Sequence, residues 1–173
     1  MLKTTGSRSA LVLLACGTPP QISGLQAAAG PPLARALQLQ LGPALPADPG
    51  PQAQASLAAL EDGILAPLTQ DPGRTMADGA HWAALLGAWR QPCLLLVGVE
   101  QLDSGVAAAT TALLRQWQVP LLGLVQWQGP WNPQARLADQ LPWLGWLDGL
   151  EQGADGLALA ADQRARLLHS QLG

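Results

Sequence analysis

The chain has 173 residues and a net charge of -3, with 12% charged against 49% hydrophobic residues, seven Trp and neither Phe nor Tyr. That length suits one domain with a substantial core, residues 1–173, rather than two. The absence of any basic run gives nucleic acid no electrostatic footprint, and the apolar runs fall far short of the roughly 20 residues that span a bilayer, so nucleic-acid binding and transmembrane helices are both excluded.

In chain order, SALVLLA (9–15) reads as the buried first strand of a parallel sheet, and it runs directly into CGTPPQISGL (16–25). A strand entering a glycine-bearing loop and then a helix is where nucleotide-binding domains hold phosphate. Residues 33–41, entered through Gly30, Pro31 and Pro32 and ended by Gly42, read as a short helix with proline in its first turn. Residues 43–55, largely PALPADPGPQAQ, form a Pro/Ala-rich connector without periodicity, and 56–60 read as a short strand leading into EDGILAPL. Thr75 and Asp78 offer a capping box for a helix reaching Trp89. CLLLVGV (93–99), a helix over 104–117 and VPLLGLVQW (119–127) make a strand, helix, strand crossover. Residues 157–172 carry helical spacing, with Arg164 and Arg166 on the wet side.

The N-terminus carries Lys3 and Arg8 ahead of ALVLLA and then LLAC, which is also the pattern of a lipoprotein signal ending at Cys16. Its apolar stretch sits at the lower limit of the roughly 7–15 residues of a signal core. A cytoplasmic protein is therefore expected, with a lipid anchor at Cys16 as the alternative. Cys16 falls at the C-terminal end of one strand and Cys93 at the N-terminal end of another. In a parallel sheet those are opposite edges, beyond the roughly 7 Å reach of a disulfide, so both are expected to be reduced. His81 and His169 have no second ligand at metal spacing.

Taken in order, CGT after strand one, an acid-Gly segment ending in APL, TMAD, LLLVGVEQL, PLLGLVQWQGP and LPWLGWL resemble dethiobiotin synthetase, a P-loop enzyme of biotin synthesis. The corresponding family stretches read approximately CGTDTxVGKT, EGAGGxxxPL, an Asp-bearing helix start, VGxxLGxxNH, GxVxNxxxP and LPxL. The likeness covers residues 61–147, and the chain is shorter than the family, mostly before Glu61. It implies an α/β, three-layer, mainly parallel sheet of the P-loop NTPase type, truncated. It also implies a homodimer that uses ATP and magnesium to phosphorylate the carbamate of a diamine.

Position by position, the charged parts of that machinery are missing. Aligning Gly17 and Thr18 with the family's GT puts Ser23 and Gly24 where Gly and Lys belong, and Leu25 where the magnesium-binding Ser or Thr belongs. Lys3 is the only lysine, and Pro19 and Pro20 remove two backbone donors. Matching Pro67 to the family's proline puts the magnesium-binding Glu on Ala59, so Glu61 and Asp62 are either metal ligands, if the turn is two residues shorter, or a solvated turn. The NH pair is replaced by Gly105 and Val106, the adenine-reading Asn by Trp127 or Gln128, and the substrate-binding Lys-Pro has no counterpart.

The expectation is a dethiobiotin synthetase-like protein with a degenerate phosphate loop, without catalysis and without a cofactor, acting through its surface as a homo-oligomer or on a protein partner. Trp127, Trp131, Trp143 and Trp146 are the candidate pocket or partner surface, whereas Trp82, Trp89 and Trp117 are expected in the core. The alternative is an ATP-dependent ligase of altered nucleotide binding, using magnesium and holding an anion on the N–H groups of Ser23, Gly24 and Leu25 with help from Arg35.

Overall fold

A computed structural model describes residues 9–149, 154 and 156–170. Lys3, Arg8 and the last residues of the expected C-terminal helix lie outside the described residues.

Among the described residues, six strands form one sheet in which every pair is parallel: β1 (Leu11–Ala15), β2 (Gln40–Leu41), β3 (Ile64–Pro67), β4 (Cys93–Gly98), β5 (Leu121–Trp127) and β6 (Trp143–Leu147), in the spatial order β2-β3-β1-β4-β5-β6. β1, β4 and β5 are buried at every position, because helices cover both faces. This is why those strands read as unbroken apolar runs rather than alternating ones.

Helices α1 (Pro19–Ala36) and α6 (Leu157–Ser170) pack on the face that carries Leu11, Leu13, Leu94, Leu96 and Val125. Helices α2 (Pro51–Ala58), α3 (Trp82–Ala88) and α4 (Val106–Gln116) cover the opposite face, with Val12, Leu14, Leu95 and Leu124. The architecture is therefore three-layer α/β of the P-loop NTPase-like type. A six-residue helix, α5 (Pro133–Ala138), buries none of its residues.

Several local expectations change. One helix runs from Pro19 through Pro31 and Pro32, in place of a loop followed by a short helix over 33–41. Pro19 and Pro20 fit because the first turn has no use for their missing N–H groups. Pro31 and Pro32 leave the carbonyls of Ala27 and Ala28 without helical donors, at two residues that are exposed. Residues 56–58 end helix α2 rather than form a strand. Helix α3 starts at Trp82, not Thr75, because the His81 ring nitrogen Nδ1 accepts from the Ala84 N–H at 3.2 Å and caps it there. The connector is anchored by Trp82, which is 1% exposed and donates its indole N–H to the Ala47 carbonyl at 3.0 Å.

No helix among the described residues is long and apolar enough to cross a membrane. Cys16 and Cys93 are free thiols. Val12 is the register partner of Cys93, so Cys16 lies four residues further along, about 13 Å away at roughly 3.3 Å per residue, too far for a disulfide.

Candidate functional site

The chain leaves β1 through α1 toward the β2 edge, on one face of the sheet. It leaves β4 through α4 toward β6, on the other. Beyond the carboxyl ends of β1 and β4 the two connections diverge, and open α/β sheets hold ligands in the crevice this creates. A cleft of about 250 Å³ occupies that position. One wall is the exposed face of α1 formed by Gln21, Gly24, Leu25 and Ala28, at helical spacing. The other is the 3-10 turn after β4, with Val99, Glu100 and Gln101, and the end of β5 at Trp127 and Gln128.

The loop below this cleft does not have the form of a phosphate cradle. Only Cys16, Gly17 and Thr18 separate β1 from α1. The helical ladder starts with the Ile22 N–H on the Thr18 carbonyl at 2.9 Å, so the N–H groups of Ser23, Gly24 and Leu25 lie inside the helix and are used there. The Thr18 N–H and hydroxyl are both taken by the Gln21 side-chain oxygen, at 2.8 and 2.9 Å. Gly17 adopts φ +125°, and a Cβ there would lie 2.7 Å from Gln101 Nε2. Anion binding on Ser23, Gly24 and Leu25 is thus corrected, because their donors are occupied. Arg35, in the last turn of α1, stands about 20–25 Å along the helix from its start.

Gln101 fills the floor. Its side chain is 8% exposed, donates from Nε2 to the Cys16 carbonyl and accepts on Oε1 from the Gly98 N–H at 2.9 Å. The Cys16 thiol lies 3.6 Å from the same oxygen, and burial first and the Asp71 charge second push its pKa up to about 11. Cys93, wholly enclosed, is raised by burial alone.

Glu61 and Asp62 precede β3 and so sit at the amino edge of the sheet, at least about 15 Å from Gly17. The metal-ligand expectation is corrected on that ground, since the strand separates these exposed carboxylates from the loop they were to serve. Among the described residues, no group of three His, Cys, Asp or Glu side chains is placed to hold a metal ion. The carboxylate that does stand near Cys16 is Asp71, which follows β3 and accepts from the Gly73 N–H at 2.8 Å. An acid just past a strand's carboxyl end was the available signal for it.

The candidate tryptophans separate. Trp127 is 7% exposed, belongs to the core on the α1 and α6 face, and lines the cleft. Trp131 and Trp143 meet edge to face, with ring centroids 6.0 Å apart. Arg136 lies 4.9 Å over the Trp143 ring, and Asp139 accepts from the Trp143 indole at 2.9 and 3.0 Å, which fastens α5 to β6. Trp146 is half-buried on β6, an edge strand. Trp89 and Trp117, expected in the core, are 43% and 40% exposed. Each is the C-cap of its helix, where the apolar face seen in the sequence no longer dictates direction.

Fold and cleft together define a class, a three-layer parallel α/β protein with its crevice at the topological switch point. No protein-family model matches the chain, and no curated protein matches it significantly.

Proposed function

We propose that the protein is a dethiobiotin synthetase-like α/β protein that has lost ATP-driven catalysis and acts by binding. One observation carries this: among the described residues no lysine or arginine lines the cleft, and the loop beneath it is three residues long, with the Thr18 N–H and hydroxyl already used by Gln21. Phosphoryl transfer depends almost entirely on positioned positive charge. Without it, several kcal/mol of transition-state stabilisation are missing by order of magnitude. Self-association follows from the family resemblance, and a cytoplasmic location from the short apolar stretch ahead of Cys16; both belong to the same proposal.

The test is calorimetric titration of the purified protein with ATP and magnesium, beside a dethiobiotin synthetase that retains its loop lysine. The expected result is no heat of binding up to millimolar nucleotide. Micromolar binding overturns the proposal in favour of a ligase with altered nucleotide recognition.

A further inference from the structure

Two of the chain's Asp-Gly pairs, Asp62-Gly63 and Asp78-Gly79, share a backbone conformation and differ in hydrogen bonding. Both glycines are left-handed, at φ +83° and +84°, and a Cβ on either would meet nothing within 4 Å. Both aspartates are exposed. At the second pair the polar groups are held: the Gly79 N–H donates to the Met76 carbonyl at 2.9 Å, and Asp78 Oδ1 accepts from the Ala80 N–H at 3.0 Å. At the first pair they are not, since neither the Gly63 N–H nor the Asp62 carboxylate has a hydrogen bond or ion pair among the described residues.

That difference bears on a reaction an aspartate undergoes with the peptide that follows it. The Gly63 nitrogen bonds to Asp62 Cγ, the Cγ–OH bond of the carboxylic acid breaks, and the amide proton leaves with that hydroxyl as water. Water then opens the five-membered imide. Attack at Cγ restores aspartate, whereas attack at the Asp62 main-chain carbonyl leaves isoaspartate, its chain running through Cβ and Cγ and one carbon longer. Glycine at the attacking position has no side chain to crowd the ring. Closure also needs an amide and a carboxyl that are free to turn toward each other, which Asp62 and Gly63 offer and Asp78 and Gly79 do not.

We propose that Asp62 is a site of spontaneous isoaspartate formation in the folded protein, and that the product loosens the β2 edge of the sheet. The Gly63 carbonyl accepts the Gln40 N–H at 2.8 Å, a rung between β2 and β3, while the Leu60 N–H is fixed on the Leu57 carbonyl at 3.2 Å. Only Glu61 and Asp62 lie between these anchors, so the added carbon strains one of them. Leu60 packs against the core, whereas β2 is an exposed strand of two residues, and the rung to Gln40 therefore yields.

The test stores the full chain at neutral pH, folded in one sample and unfolded by guanidinium chloride in another, and locates isoaspartate by electron-transfer fragmentation of its peptides. In the folded chain it is expected to form about tenfold faster at Asp62 than at Asp78, whose hydrogen bonds must first break. In guanidinium the two rates should converge. Hydrogen exchange at the Gln40 amide should be faster in stored than in fresh folded protein, and Asp62→Glu, whose side chain would have to close a six-membered ring, should remove that change. The site is overturned if Asp78 converts as fast as Asp62 in the folded chain, if their ratio is the same when unfolded, or if Asp62 stays aspartate. Unaltered Gln40 exchange in converted protein overturns the loosening of β2.

Discussion

Gln101 and Cys16 are 85 residues apart in sequence, yet the Gln101 side-chain N–H donates to the Cys16 carbonyl at the end of β1. Because the same carboxamide accepts from Gly98, it ties β1 to β4 at the seam where the cleft opens. Replacing it with Gln101→Leu keeps most of the volume but leaves a buried carbonyl and a buried N–H unpaired. The expected loss is about 2–4 kcal/mol, read from urea unfolding with an unchanged m-value.

Two of the helical glycines, Gly87 and Gly24, should respond in opposite ways to the same change. A Cβ on Gly87 would meet the Trp117 carbonyl at 1.9 Å, so α3 and α4 would have to move apart. Gly87→Ala should cost about 3 kcal/mol. Gly24→Ala should instead stabilise by about 0.5–1 kcal/mol. Urea midpoints of the two variants check both signs, and a stabilised Gly87→Ala would refute the close crossing.

Gln38, Gln118 and Gln140 each follow a helix end with φ near +57°. That left-handed position favours glycine, and other residues pay roughly 1–2 kcal/mol for it. Gln118→Gly is expected to raise stability by about 0.5–1 kcal/mol, a rise of about 2–4 °C in melting temperature. A fall would show that the Gln118 side chain contributes more than its backbone costs.

Stability should decline in alkali. Burial lifts the Cys16 thiol from its ordinary 9.0 to about 11, and Cys93 is raised as well. Above pH 9 the unfolded chain therefore holds fewer protons than the folded one, and unfolding becomes easier as pH rises. The stabilisation is complete below about pH 9 and is lost toward pH 11, with a slope of up to about 1.4 kcal/mol per pH unit for each thiol. Melting between pH 8 and 11 checks this, and Cys16→Ala should make the decline shallower. Neither thiol should react with an alkylating reagent at neutral pH in the folded protein.

Strands β1, β4 and β5 were legible because a doubly covered parallel strand needs an apolar side chain at nearly every position, and 11–15, 93–98 and 121–127 show it without help from distant residues, whereas the short β2 and β3 and the half-exposed β6 lack that run. Helix α4 was legible for a similar reason, since its period lies within one segment. The prolines were not. Pro19 and Pro20 suit a loop or a helix's first turn equally, and only the packing of Ile22 and Gln26 against the sheet selects the helix. Gln26 is 4% exposed and donates to the carbonyls of Leu13 and Leu68, partners 13 and 42 residues away.

By itself the sequence determined that the protein is α/β, that β1, β4 and β5 are buried, and that the lysine a phosphate loop requires is missing, because each of these depends on residue type and local period. The tertiary structure alone decided the strand order and the three-residue loop. It also set Gln101 beneath the cleft, Glu61 and Asp62 at the far edge, and Trp127 inside while Trp89 and Trp117 face outward. Those outcomes follow from which distant segments pack together, and contacts between residues far apart in the chain leave no periodic trace in it.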